Sequence, residues 1–185
     1  MNRQQFLGAT EQQFKSAAHR VLYLDLDGTV RHGFDELGRF VNVPGDVVVF
    51  PEALEQIRRF KSAGWKICGI SNQGGIALGH MTMAVCADTM MRTQQLCEGM
   101  FDKIVWCSHH PDATDPEWAV CWCRKPRIGM IVEAAAALSY PNGMCPPHLA
   151  LFVGDRPEDQ QCAAAANIRF AWAKDFREGK ESPDA

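Results

Sequence analysis

A chain of 185 residues with 46 % apolar side chains is long enough to bury one α/β core and too short for two full domains. Its formal net charge of -3 and pI near 6.1 exclude the global basic field that drives non-specific nucleic-acid binding, leaving room only for a local patch. No apolar run approaches the roughly 18–20 residues that cross a bilayer, and the opening segment lacks the apolar stretch of a secretory signal, so a cytoplasmic, monomeric protein with no membrane partner is expected.

Residues 1–20 form an N-terminal extension carrying Arg3, Lys15, His19 and Arg20 against Glu11. A leading helix is expected there, with an organelle-targeting segment as the alternative. The body of the chain is then read as one domain over 21–178, followed by a flexible tail over 179–185.

Val21-Leu22-Tyr23-Leu24 is a short β-prone run that stops at Asp25, and Lys66 to Ile70 is another that stops at Ser71. Ile104 to Trp106, Leu149 to Val153 and Ile168 to Trp172 repeat the pattern. Helical patterns lie between them: Pro51 to Ala63 opens on Pro-Glu and ends at Gly64, Thr82 to Glu98 follows, and Ile128 to Leu138 is rich in alanine. Strands alternating with helices predict right-handed crossovers and a Rossmann-like three-layer sandwich around a central parallel sheet. In such sheets ligands bind outside the carboxyl ends of the strands, so the strand-ending residues gather at one rim.

Four strand ends carry chemistry. Asp25-Leu26-Asp27-Gly28-Thr29-Val30 sets two carboxylates two residues apart, one able to attack phosphorus and bind a hard cation, the other able to exchange a proton with the leaving oxygen. A solvated Asp-Gly turn is the plainer alternative. Ser71-Asn72-Gln73-Gly74-Gly75 offers hydrogen-bond donors to phosphate oxygens, Arg124-Lys125-Pro126 a fixed positive charge, and Gly154-Asp155-Arg156-Pro157-Glu158-Asp159 further acidic oxygens suited to magnesium.

These pieces, in this order, resemble the haloacid dehalogenase superfamily of phosphotransferases from about Val21 to Phe176. The resemblance implies Asp25 as nucleophile and Asp27 as general acid/base. It further implies Ser71, Asn72, Arg124 and Lys125 on phosphate or substrate, and magnesium on Asp25, the Asp27 carbonyl and Asp155, with Asp159 in support. The intervals between motifs are too short for a large cap domain, so only a flap over Arg31 to Phe50 and one long loop should limit access.

That loop, over 107–123, holds Cys107-Ser108-His109 and Cys121-Trp122-Cys123, four soft or borderline donors suited to tetrahedral zinc, with His110 competing for the place of His109. The other five of eight cysteines lie in apolar or helical stretches and read as reduced core residues. The loop resembles the branch containing D-glycero-D-manno-heptose 1,7-bisphosphate phosphatase and histidinol-phosphate phosphatase, where a comparable zinc is structural. Leu26 and Arg156 depart from that branch, which has arginine and lysine there. The expected activity is hydrolysis of a sugar phosphate or small metabolite phosphate through an aspartyl-phosphate. A nucleic-acid 3′-phosphate is the second choice, since Asp25 to Thr29 also looks like polynucleotide kinase 3′-phosphatases. A non-catalytic zinc-stabilised binding module is the third.

Overall fold

Five short apolar runs pair side by side because each has too few residues to bury its backbone alone. The computed structural model describes residues 19–34, 40–140 and 145–184, and the helix expected over the N-terminal extension lies outside them. The strands are β1 (Val21–Leu24), β2 (Lys66–Asn72), β3 (Lys103–Cys107), β4 (Ala150–Gly154) and β5 (Arg169–Trp172). All pairings are parallel, in the order β3-β2-β1-β4-β5. Val21 is in register with both Lys66 and Ala150, so β1 runs down the middle and the strand order reverses beside it.

Alternation along β1 builds the two faces of the sandwich. Val21 and Tyr23 pack with Met130, Ile131, Ala134 and Ala135 of one helix (Gly129–Ala137), and with Cys162 and Ala163 of another (Pro157–Ala165). Leu22 and Leu24 pack on the opposite face with Ile57 and Phe60 of Pro51–Ser62, Cys86 and Met90 of Met83–Leu96, and Phe176 of Ala173–Arg177. In chain order these helices are α1 (Pro51–Ser62), α2 (Met83–Leu96), α3 (Pro116–Ala119), α4 (Gly129–Ala137), α5 (Pro157–Ala165) and α6 (Ala173–Arg177). Removing a side chain such as Phe60 from water contributes about 1.5–3 kcal/mol, so the two apolar layers hold the sheet.

The expected α/β three-layer architecture is present, with no helix long and apolar enough to cross a membrane among the described residues. Helix boundaries follow local chemistry. Thr82 stands outside α2 as its cap, its hydroxyl accepting from the Val85 N–H at 3.2 Å, and Gly64, at φ +84°, ends the turn after α1. The flap is small: Arg31 bridges Val49, Phe34 bridges Phe40, and one 3-10 turn covers Pro44–Asp46, residues 35–39 lying outside the description. The segment after Glu178, expected to be loose, makes contacts that a loose tail would lack. The Pro183 carbonyl accepts from Arg20 Nη1 at 2.6 Å and from Trp65 Nε1 at 2.9 Å.

Candidate active site

Asp25 is the first residue past β1, and its N–H continues the ladder by donating to the Val153 carbonyl at 2.9 Å. The chain then turns sharply. Gly28 sits at φ +89°, and a Cβ there would lie 2.1 Å from Asp155 Oδ2, so only glycine lets the loop pass against the end of β4. Arg177 of α6 steadies the turn by donating to the Gly28 and Thr29 carbonyls at 2.7 and 3.0 Å.

Around Asp25 groups from separate loops converge. Thr29 Oγ1 donates to Asp25 Oδ2 at 3.2 Å, and Lys125 Nζ donates to Asp25 Oδ1 at 2.5 Å and to the Ile70 carbonyl at 2.9 Å. Asp159 Oδ1 lies 2.7 Å from the same ammonium as a charge contact without hydrogen-bond alignment, while its Oδ2 accepts from the Arg156 N–H at 3.1 Å and caps α5. Lys125 is 4 % exposed and Asp159 1 %, so both charges work in a low-dielectric interior.

Asp25, Asp155 and Asp159 each offer an oxygen to one point, the three atoms lying within 4.8 Å of one another. Burial pushes the Asp25 carboxyl up to about 7, helped by Asp159 and Asp27 and opposed by Lys125. Burial by itself would lower Lys125, but the attraction of Asp25 and Asp159 outweighs it and holds its pKa above the lysine range. The two partners therefore pull in opposite senses. The short Nζ–Oδ1 bond decides the matter: the proton sits on Lys125, and one cation faces several carboxylates. Excess negative charge among hard oxygen donors at a strand rim fits a divalent ion such as magnesium.

Asp27 is held by a different set of partners. Its Oδ1 accepts from Arg31 Nε at 2.7 Å and its Oδ2 from Gln73 Nε2 at 2.7 Å, while Gln73 Nε2 also reaches Ser71 Oγ at 2.8 Å. Asn72, expected to donate to phosphate, lines the cavity of the site, and its amide also holds the loop that carries Lys125. Its Oδ1 accepts from the Lys125 N–H at 3.0 Å and its Nδ2 donates to the Lys125 carbonyl at 3.3 Å. Two residues 53 apart in sequence thus fix the backbone that presents the ammonium. Arg124 Nη1 donates to the His109 carbonyl at 3.0 Å, and Gly74 leaves space for both neighbours, since a Cβ there would meet His110 at 2.7 Å and Arg124 Nη1 at 3.1 Å. Asp25, Asp27, Ser71, Arg124 and Lys125 all line one cavity of about 250 Å³, under Phe40 and Asn42 of the flap.

Beside it, Cys107, His109, Cys121 and Cys123 bring four donor atoms within 4.8 Å of one another. Cys107 Sγ stands 3.6 Å from Cys121 Sγ, 3.6 Å from His109 Nδ1 and 3.2 Å from Cys123 Sγ. Zn–S bonds of about 2.3 Å at tetrahedral angles put sulfurs roughly 3.7 Å apart, so the donor set fits zinc. His109 is the inward ring; His110 Nδ1 accepts from the Asp112 N–H at 3.1 Å and borders the cavity instead.

Comparison with known proteins points to phosphatases. The model of a family described as polynucleotide kinase 3 phosphatase matches residues 20–178. A D-glycero-beta-D-manno-heptose-1,7-bisphosphate 7-phosphatase of Salmonella typhi is 32 % identical over 161 residues, covering 80 % of this chain and 76 % of that protein. A D-glycero-D-manno-heptose-1,7-bisphosphate 7-phosphatase of Chlorobaculum tepidum is 30 % identical over 154 residues, 81 % and 76 % of the two chains. Among solved structures, a D,D-heptose 1.7-bisphosphate phosphatase from B. bronchiseptica, complexed with magnesium and phosphate, superposes with TM-score 0.66 at 28 % identity, covering 82 % and 78 %.

Proposed function

This chain belongs to the polynucleotide kinase 3 phosphatase family, within the haloacid dehalogenase superfamily, and is a phosphatase; we propose that it hydrolyses a sugar phosphate or small metabolite phosphate through a phosphoryl group carried on Asp25. The observation that carries this reading is the buried Asp25 carboxylate held 2.5 Å from Lys125, at the rim where β1 and β4 bring three acidic groups together.

In the first step an Asp25 oxygen forms a bond to phosphorus as the ester P–O bond breaks in line, and Asp27 gives a proton to the departing oxygen. Lys125 Nζ, with hydrogen bonds from Ser71 and the backbone N–H groups of Gly74 and Gly75, meets the negative charge on the equatorial oxygens. In the second step Asp27 takes a proton from water, which attacks phosphorus and breaks the acyl-phosphate P–O bond. Orthophosphate leaves and the Asp25 carboxylate is restored. Asp25, Asp155 and the Asp27 carbonyl would hold magnesium, which supplies positive charge to the phosphoryl oxygens when bound. Asp159 supports both, adding an acidic oxygen beside the ion's place and balancing the charge of Lys125.

Cys107, His109, Cys121 and Cys123 would fill all four positions on zinc, leaving none open for water, so its part is to hold the loop that aims Arg124 and Lys125. Cys123→Ala should lose about one zinc per chain by elemental analysis. It should also lower the melting temperature by roughly 10 °C, the fall for about 3–4 kcal/mol in a domain of this size. Unchanged metal content and melting would remove zinc from the account.

The substrate class is tested by a panel under magnesium: heptose bisphosphate, histidinol phosphate and a 3′-phosphorylated oligonucleotide. The curated relatives support the sugar phosphate, with kcat/KM expected at least about tenfold above the oligonucleotide. The family description and the small flap support the oligonucleotide as a second reading, and selective turnover of it would reverse the order. Equal, negligible turnover by wild type and Asp25→Asn would favour a zinc-stabilised binding module.

A further inference from the structure

We propose that Arg31 is a positioning residue, a buried guanidinium that sets the orientation of Asp27 for proton exchange with the leaving oxygen; the role rests on the hydrolytic reading above. Arg31 is 0 % exposed, yet a guanidinium cannot shed its charge and must find an anion. Among the described residues Asp27 is the one carboxylate paired with it. Arg31 Nε reaches Asp27 Oδ1 at 2.7 Å and Nη2 reaches Oδ2 at 3.4 Å, a two-toothed grip that fixes the plane of the carboxylate as well as its place.

The grip is itself anchored. Arg31 Nη1 donates to Thr93 Oγ1 of α2 at 2.5 Å, and that hydroxyl donates onward to the Thr89 carbonyl at 2.9 Å, so the guanidinium is fastened to a helix of the core. The backbone closes the same loop: the Arg31 N–H donates to the Leu26 carbonyl at 2.9 Å, and the Gly28 N–H donates to the Arg31 carbonyl at 2.8 Å. Gln73 Nε2 holds the other face of Asp27 at Oδ2. A carboxylate at a cavity edge, free to rotate, would spend little time facing the leaving oxygen. Fastened between Arg31 and Gln73, it has one orientation. Lysine at position 31 could supply the charge but not the planar fork.

A brace for the fold and a positioner of the acid differ in one readout, the dependence on leaving group. Single-turnover release is measured for p-nitrophenyl phosphate, whose leaving oxygen departs without a proton, and for a sugar phosphate, whose leaving oxygen needs one. Arg31→Met should lower the sugar phosphate rate on the order of a hundredfold and the p-nitrophenyl rate less than about tenfold, with KM within roughly threefold. Arg31→Lys should keep the melting temperature without recovering the sugar phosphate rate, and Thr93→Val should show a smaller loss with the same selectivity. These two variants carry the readout if Arg31→Met does not fold. Loss of both substrates in equal proportion, or of neither, overturns the proposal. Wild type that cleaves neither ester under magnesium would instead sink the hydrolytic reading, and the role of Arg31 with it.

Discussion

Asp25→Asn is expected to abolish turnover, with kcat falling at least about a thousandfold while the protein stays folded. The amide keeps the shape of the side chain and can still accept from Lys125 Nζ, but it is not a nucleophile toward phosphorus. Stability should move the other way. The folded-state pKa of Asp25 is raised to about 7 by burial first and by the neighbouring acids second. A carboxyl raised in this way binds its proton more tightly folded than unfolded, so its contribution is fully present below its unfolded pKa and is lost as pH rises to about 7. In magnesium-free buffer at pH 8, therefore, Asp25→Asn should melt at or above the wild type, and the advantage should shrink toward pH 5. A lower melting temperature at pH 8 would show that the carboxylate is a structural support.

Lys125→Met is the second large effect. The ammonium is 2.5 Å from Asp25 and 2.7 Å from Asp159, and all three side chains are buried. Methionine matches the stem and removes the charge, leaving two acids without their cation. Breaking a buried pair in this way costs about 3–5 kcal/mol, seen as a melting temperature lower by roughly 10 °C. Activity should fall about a hundredfold to a thousandfold, the scale for losing one donor to the developing charge. Magnesium should restore part of the stability and little of the rate, because the ion can neutralise the acids but cannot take the place of Nζ. Full rescue of the rate by magnesium would mean that Lys125 only holds the carboxylates apart.

Much of the site could be read along the chain because the sheet is parallel. Each strand is a short apolar run, and whatever ends or follows it falls on the same rim, so Asp25, Ser71 and Asp155 needed no knowledge of distant contacts to be brought together. Lys125, expected at a strand end, instead lies in the loop between α3 and α4 and is brought to the rim by the grip of Asn72 on its backbone. The cysteine pairs were legible for a related reason: a one-residue gap within each pair leaves only the closure of the loop to the fold.

What escaped the sequence is what depends on contact across it. Arg31 reads as the start of a flap, since a single arginine after Val30 carries no local signal; only the turn over Gly28 folds it back on Asp27. Asn72 reads as a phosphate donor because amides after a strand often are, and nothing nearby shows that its amide also holds the Lys125 backbone. Asp159 reads as a supporting acid beside the ion; only the fold shows that its place in the first turn of α5 also sets it against the ammonium. The segment after Glu178 looks unattached for want of apolar residues, yet a backbone carbonyl, at Pro183, ties it to Arg20 and Trp65.

The most direct test is chemical capture of the phosphorylated side chain. A labelled phosphate ester mixed with the enzyme and quenched in acid within one turnover should leave the label on the peptide containing residue 25, as an acyl-phosphate cleaved by hydroxylamine. Label on a serine, cysteine or histidine, or release of phosphate with no labelled peptide at any time, would contradict the claim that the first carboxylate past β1 takes the phosphoryl group.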